Sequence, residues 1–385
     1  MNQAVCMVSF DYPPLEGGIS RLCAAIVDEM LDSDQQVSVI SREFDKALHA
    51  VSAPQTEEYR VSSQRGKAEW QLFKRLRRYH RDDLIITGVW YPEALIARLA
   101  GCKHIVVLAH GNDVMLGRDS FKNKLLNRLR HWLLKRASLI IANSQYTGEL
   151  VQQQTQTPIA VAPLGVDQHR FKPLDEPQRQ PIRAHYKVAE STLMLLTTSR
   201  VQAYKGHDVV LRALAQLPKE QQLKCSYKVA GRGEYLENLK SMSAELGLND
   251  VVEFLGFVEE QDLPNLYAAA DVFVMCTREQ MEDKQVEGFG LVFLEAQASG
   301  TPAIGTRQGG IPDAIEDNNG GFLIDRDDAA ALAQHILTLL RDRDKLVEQS
   351  QRARSRVEQS TTWCHYGQRV AAILKQHMGS SDVQR

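Results

Sequence analysis

The sequence predicts an α/β protein built from two doubly wound domains. Three observations predict it. With 385 residues the chain exceeds what one core of ordinary size supports, so two domains are expected. Short apolar runs alternate with segments whose apolar residues recur at helical spacing, the pattern of parallel sheets with crossover helices. Polar or glycine-rich turns follow several of the runs, where open α/β sheets place their ligands.

Composition narrows the function. Lys and Arg (46) nearly balance Asp and Glu (48), a net charge of −2, so no bulk attraction to nucleic acid is expected. Cys6, Cys23, Cys102, Cys225, Cys276 and Cys364 are scattered without a Cys-x-x-Cys pair. They read as reduced thiols of a cytoplasmic protein, not as a metal site or disulfide framework. The first apolar run has no basic region before it and ends at Asp11, so no signal peptide is expected. No apolar run reaches the roughly 18 residues of a membrane-spanning helix.

Taken in order, residues 4–10 read as the first strand. A loop ending in Gly17-Gly18 follows, and then Ile19, Leu22, Cys23, Ile26, Val27 and Met30 recur at helical spacing. Strand, glycine loop and helix are laid out as at a phosphate-binding turn, but neither Gly-x-Gly-x-x-Gly nor a P-loop lysine is present. Strands are predicted at 37–41, 83–87 and 105–109, with a helix near 93–100; residues 42–65 are polar and poorly patterned. His110-Gly111-Asn112-Asp113 closes the strand at 105–109. A His there can donate to a sugar hydroxyl or take a proton at neutral pH.

Residues 65–81 and 121–136 read as basic helices. The first carries Arg65, Lys67, Lys74, Arg75, Arg77, Arg78 and Arg81 against Glu69, with Trp70, Leu72, Phe73 and Leu76 interleaved. The second carries Lys122, Lys124, Arg128, Arg130, Lys135 and Arg136 and no acid. Such helices predict peripheral contact with an anionic membrane. Strands follow at 139–142 and 159–163. Residues 172–182, with their prolines and glutamines, read as a connector, which puts the domain boundary near 165–180.

The second half opens with a strand at 193–198, then Ser199-Arg200, Lys205-Gly206 and a helix from His207 to about Leu217. Further strands are predicted at 227–230, 252–255, 272–275, 302–306 and 322–324. Helices are predicted at 263–269, 328–341 and 344–358, and a last amphipathic one runs from 362 to 376. The stretch Val286-Glu-Gly-Phe-Gly-Leu-Val-Phe-Leu-Glu-Ala-Gln-Ala-Ser-Gly300 is the most informative. Gly288 and Gly290 open a helix at Leu291, and Gly300 with Pro302 stops it. Its N-terminus offers free N–H groups and the positive end of a dipole to an anion. Glu287 and Glu295, eight residues apart, would repel a phosphate, so they are expected to serve the hydroxyls of a sugar or ribose.

Glu287, seven residues, Glu295, and then Ala296, Gly300 and Pro302 resemble the signature of the retaining glycosyltransferases of family 4. Gly309-Gly310-Ile311-Pro312-Asp313 resembles that family's Gly-Gly-x-x-Glu segment, with Asp in place of Glu. Gly17-Gly18, His110-Gly111, Leu164-Gly165-Val166-Asp167 with Phe171-Lys172-Pro173, and Arg200 with Lys205-Gly206 fall in the family's order. Leu164 stands where Asn is common. The polar insert before Val286 resembles members that glycosylate lipid acceptors.

The resemblance implies the GT-B fold. Residues 1–168 would form an acceptor domain and 169–360 a donor domain, facing each other across a cleft, with 361–385 returning to the first as a helix. It implies a donor that is a UDP or GDP sugar, carrying a hexose or N-acetylhexosamine. The implied acceptor is a glycan or a lipid-linked molecule of cell-envelope polysaccharide or glycolipid synthesis. Arg200 and Lys205, with the amides near Gly290 and Leu291, would hold the diphosphate. Glu295 would accept from the ribose, and Glu287 with His110 would hold the donor sugar. Gly17, Gly18, Gly231, Val258, Gly288 and Phe289 complete the implied donor site. No cofactor and no metal are expected, because two cations and a helix N-terminus can stabilise the leaving group. Retention in the family is explained by front-face attack without a covalent nucleophile. Two other classes stay open: a nucleotide-sugar epimerase of the same fold, and a catalytically silent sugar-nucleotide-binding protein.

Overall fold

The computed structural model describes residues 4–15, 17–33, 35–43, 57–115, 121–280 and 285–381. Residues 281–284, the centre of the polar insert before Val286, lie outside the described residues. The described chain forms two compact units. One runs to Gly165 and takes in the last helix, Trp363–Ser381; the other runs from Val166 to Thr362, residues 281–284 aside.

The first unit is a seven-stranded parallel sheet of β1 (Val5–Val8), β2 (Val37–Arg42), β3 (Glu57–Val61), β4 (Leu84–Thr87), β5 (His104–Ala109), β6 (Leu139–Ala142) and β7 (Ile159–Val161). Their order is β3-β2-β1-β4-β5-β6-β7. β1, β4 and β6 are buried along their whole length, which is why they read as continuous apolar runs. β3 escaped the sequence reading. It is an edge strand of sequence Glu-Glu-Tyr-Arg-Val, paired among the described residues with β2 alone and half-buried along most of its length, so it lacks the apolar signal of its neighbours. The last helix lays buried Tyr366, Val370 and Leu374 inward and packs on the first helix, Gly18–Asp32.

The second unit is a six-stranded parallel sheet of β8 (Leu193–Thr198), β9 (Cys225–Ala230), β10 (Val252–Gly256), β11 (Val272–Met275), β12 (Ala303–Thr306) and β13 (Gly321–Ile324). The order is β10-β9-β8-β11-β12-β13. Its core joins Leu193, Leu195, Val209, Leu211, Val272, Val274 and Ile336 between the sheet and the flanking helices. The strand order reverses between β8 and β11, and a doubly wound sheet holds its ligand beyond the carboxyl ends at such a point.

The connector expected at 172–182 is largely a helix, Glu176–His185. Asp175 caps it, accepting from the Gln178 amide at 3.0 Å, and Pro177 sits in the first turn, where a missing N–H costs nothing. Pro181 lies inside the helix and would disfavour it in isolation. Tertiary bonds decide the matter: Arg179 and Arg183 project from this helix onto Asp271, at 2.7 and 3.0 Å.

Candidate active site

The carboxyl ends of β8 and β11 carry the polar groups of the second unit. After β8 the chain passes through Ser199 and exposed Arg200 into a short turn, Ala203–Lys205, and then a helix, His207–Ala215. No carboxylate pairs with Arg200 among the described residues. Gly206 has φ +75°, and a Cβ on it would lie 1.9 Å from the Cys276 carbonyl oxygen. Only glycine lets this turn close onto the end of β11.

Closure brings Lys205 to Glu287. Nζ donates to Oε2 at 2.6 Å across 82 positions of sequence. Both side chains are mostly enclosed, 11% and 19% exposed. Burial pulls the Lys205 pKa down, but Glu287 and Tyr204 more than reverse this, and the ammonium sits above its usual range. Gly309-Gly310 hold the Glu287 loop. The Gly310 amide donates to the Glu287 carbonyl at 2.8 Å, and a Cβ on Gly309, at φ +56°, would lie 2.5 Å from that same oxygen. Gly288, Phe289 and Gly290 are buried behind Glu287, and the helix Leu291–Ala298 starts from Gly290 in a left-handed conformation. The amides of Leu291 and Val292 have no acceptor within the helix and are left to an outside partner. One turn on, Glu295 Oε2 accepts from the Tyr267 hydroxyl at 3.0 Å.

β9 and β10 border the same end. The Gly231 amide donates to Gly256 at 2.6 Å, and Val201 donates to the Arg232 carbonyl at 2.9 Å, so the loops after β8, β9 and β10 are tied together. Val258 follows β10, next to Phe257, which is 58% exposed with the Arg232 guanidinium 5.6 Å from its ring centre.

Three residues that the sequence reading passed over support this end. Arg278 grips Asp208 with both terminal nitrogens at 2.8 and 2.7 Å and donates to the Ala203 carbonyl at 2.9 Å. It thereby pins the turn carrying Lys205. Its hydrogen bonds to Asp208 push its pKa up, and Asp208 is in turn held down against the opposing effect of burial. His207 lies buried beneath Lys205, bonded to Ser199 Oγ at 3.1 Å and Tyr227 Oη at 3.3 Å. Burial, helped by the Lys205 charge, lowers its pKa to about 4, so it is neutral at physiological pH. Asp208 and Arg278 are 70 positions apart, and no local pattern links them.

The remaining predicted residues belong to the first unit. Gly17 and Gly18 start the helix Gly18–Asp32, with Gly17 exposed. His110 follows β5, and its Nε2 is 2.6 Å from the Gly88 carbonyl oxygen. A carbonyl only accepts, so Nε2 carries a proton and a neutral His110 has its lone pair on Nδ1. The loop after it is held by Arg130, 2% exposed, which donates to the carbonyls of Asp113 and Met115 at 3.2 and 3.1 Å. Burial lowers the Arg130 pKa, partly offset by Asp113.

Two family models match consecutive parts of the chain: glycosyltransferase family 4 over residues 16–170 and glycosyl transferases group 1 over residues 178–356. The chain belongs to the group 1, family 4 glycosyltransferases. A GDP-mannose-dependent alpha-(1-6)-phosphatidylinositol monomannoside mannosyltransferase of Mycobacterium tuberculosis is 28% identical over 383 residues, 96% of this chain and 98% of that one. The enzyme of the same name from Mycolicibacterium smegmatis is 29% identical over 381 residues, 96% and 97% of the two chains. Among solved structures, Anabaena HepE in complex with UDP matches at a TM-score of 0.76 and 23% identity, covering 97% of this glycosyltransferase and 100% of HepE. Sucrose-phosphate synthase from Thermosynechococcus elongatus matches at 0.75 and 20%, covering 98% and 100%. At these identities the structural likeness speaks for the fold: two Rossmann-like domains of GT-B type.

Proposed function

We propose that this glycosyltransferase moves a hexose from a nucleoside-diphosphate sugar to a glycolipid or other cell-envelope glycan acceptor, retaining the anomeric configuration and without a metal. The observation that carries the reading is the Lys205–Glu287 pair at the sheet's switch point, beside the N-terminus of Leu291–Ala298. Two relatives matched along nearly their whole length use GDP-mannose by name, which makes GDP-mannose the first donor to try.

The chemistry follows from charge. Breaking the bond between the anomeric carbon and the diphosphate leaves negative charge on phosphate oxygen. Arg200, Lys205 and the amides of Leu291 and Val292 meet that charge with fixed positive groups. A diphosphate competes with Glu287 for Lys205, and the released carboxylate can then accept from a hydroxyl of the donor sugar. Glu295 accepts from the ribose. The acceptor hydroxyl bonds to the anomeric carbon on the face the diphosphate leaves, and its proton passes to the leaving phosphate oxygen. His110 offers Nδ1 as an acceptor to a sugar hydroxyl, and Gly17 and Gly18 let backbone approach the donor. Phe257 gives a base an exposed ring face.

Calorimetric titration with GDP and UDP, followed by NMR of the product anomer from GDP-mannose or UDP-glucose, tests this. Binding that is lost on Arg200→Ala and Lys205→Ala, with an α product from an α donor, supports it. Failure of both nucleotides to bind, or binding indifferent to both substitutions, overturns it.

The acceptor side carries a membrane component. Trp70 and Tyr79, on the helix Lys67–Tyr79, are 57% and 52% exposed, and Phe121, heading Phe121–Leu134, is 86% exposed. Lys74 lies 3.6 Å from the Trp70 ring centre. Exposed aromatic rings among cations suit an anionic bilayer interface. Among the described residues no helix is long and apolar enough to cross a membrane. Flotation with phosphatidylglycerol vesicles at low salt is the check; a protein that stays at the bottom sinks the idea.

A further inference from the structure

Glu295 is oriented by a hydroxyl that no motif marks. Tyr267 lies on the helix Leu263–Ala269 and is completely buried. Its ring is fixed edge-on to Phe171, with centroids 5.7 Å apart, and tilted against Phe273 at 5.7 Å. Its backbone carbonyl accepts from Thr301 Oγ1 at 2.7 Å. The position of the phenol oxygen is therefore set by the core.

That oxygen touches two groups: Glu295 Oε2 at 3.0 Å, and the hydroxyl of Thr198, the last residue of β8. Burial, reinforced by the Glu295 charge, keeps the phenol protonated. A phenol has one proton and a carboxylate has none, so the proton belongs to the bond with Glu295 and Thr198 donates to the phenol oxygen. The chain of bonds runs from Thr198 to Tyr267 to Glu295. A donor of fixed position on one carboxylate oxygen restricts the orientation of the group, and with it the directions from which hydroxyls can be received.

We propose that Tyr267 is a positioning residue for the ribose of the nucleotide: by holding Glu295 it lets the site distinguish a ribose diol from a deoxyribose. The inference rests on the reading above in which Glu295 accepts from the ribose. Tyr267→Phe keeps the ring and removes the proton that Tyr267 donates to Glu295. Nothing in the sequence around residue 267 points to this role, because Glu295 lies 28 positions away and the bond exists only through the fold.

The test compares the dissociation constants of GDP, 2′-deoxy-GDP and 3′-deoxy-GDP, by calorimetry, for the wild type, Tyr267→Phe and Thr198→Val. The wild type is expected to favour GDP over at least one deoxy form by about tenfold or more, the scale of a hydrogen bond to a charged group. Tyr267→Phe is expected to weaken GDP severalfold while leaving that deoxy nucleotide nearly unchanged, so the ratio shrinks. A merely structural role would weaken all three alike. Thr198→Val, which interrupts the same chain of bonds one step earlier, is expected to shrink the ratio less, and it carries the test if Tyr267→Phe does not fold. A wild-type ratio preserved in the variants overturns the proposal with the ribose assignment intact. A wild type that binds GDP but does not discriminate overturns the assignment of Glu295 to the ribose, and the proposal with it.

Discussion

The two ends of the second sheet each bury a cation against a carboxylate, and they do so differently. At the amino ends Asp271, just before β11, is saturated. Oδ1 accepts from Arg179 at 2.7 Å, and Oδ2 accepts from Arg183 at 3.0 Å and from the Met194 amide at 2.7 Å. Arg183 and Asp271 are 5% and 6% exposed. At the carboxyl ends Glu287 uses one oxygen, Oε2, on Lys205, and its Oε1 has no partner among the described residues. That pair keeps a path to solvent, at 11% and 19% exposed. In the first cluster both oxygens of Asp271 are already taken, and the spare bonding capacity is on the cation, at Arg183 Nε. The second is open, with each partner able to exchange the other for a phosphate or a hydroxyl. A buried ion pair is therefore informative about function through its unused bonding capacity, not through its depth.

The comparison breaks most sharply at Asp271. Asp271→Ala takes the carboxylate from buried Arg183 and partly exposed Arg179 and should destabilise by about 3–5 kcal/mol, a drop in melting temperature of roughly 10 °C. Donor affinity in the protein that remains folded should be unchanged, as differential scanning fluorimetry and calorimetry would show. The mirror case is Lys205→Ala. It should lower kcat by about a hundredfold to a thousandfold, the scale for losing one donor to a developing oxyanion, while moving the melting temperature little. If the two variants exchanged phenotypes, the division into a closed and an open end would be wrong.

The two ends should also answer differently to pH. His207 sits only at the carboxyl end, and its pKa is lowered from an unfolded value near 6.5 to about 4. Between these values the unfolded chain binds a proton that the folded one refuses. Stability is complete above about pH 6.5 and falls as pH drops towards 4, by up to about 3 kcal/mol. Chemical denaturation at a series of pH values should show this slope, and His207→Gln should flatten it. The smallest expected effect is that of Arg278→Lys. A lysine keeps the charge but cannot grip Asp208 with two nitrogens, so the Lys205 turn should loosen and kcat/KM fall about tenfold, with KM for the donor bearing much of it. A kcat/KM equal to wild type would show that Asp208 holds the turn without it.

Much of the local structure of the candidate site could be read before folding because it depends on neighbouring residues. Gly290 and Leu291 mark a helix start within a few residues, and Lys205-Gly206 marks a turn. The residues that connect those pieces left no such trace. Asp208, His207, Arg278 and Tyr267 each look like ordinary helix, turn or core positions, and only their partners distant in sequence give them a task. Helix Glu176–His185 shows the same in reverse: its prolines and polar composition argue for a connector, and Arg183 overrules them by a contact 88 positions away.

Local sequence was enough for the α/β alternation, the strands of both sheets except the polar edge strand β3, and the glycine-opened helix that carries Glu295. These depend on periodicity, propensity and turn chemistry, which act over a few residues. Folding was needed to place Lys205 against Glu287, the Tyr267 hydroxyl against Glu295, and Arg179 and Arg183 around Asp271. Hydrogen bonds and ion pairs depend on separation in space, and a parallel sheet brings together loops that lie a full crossover or more apart along the chain.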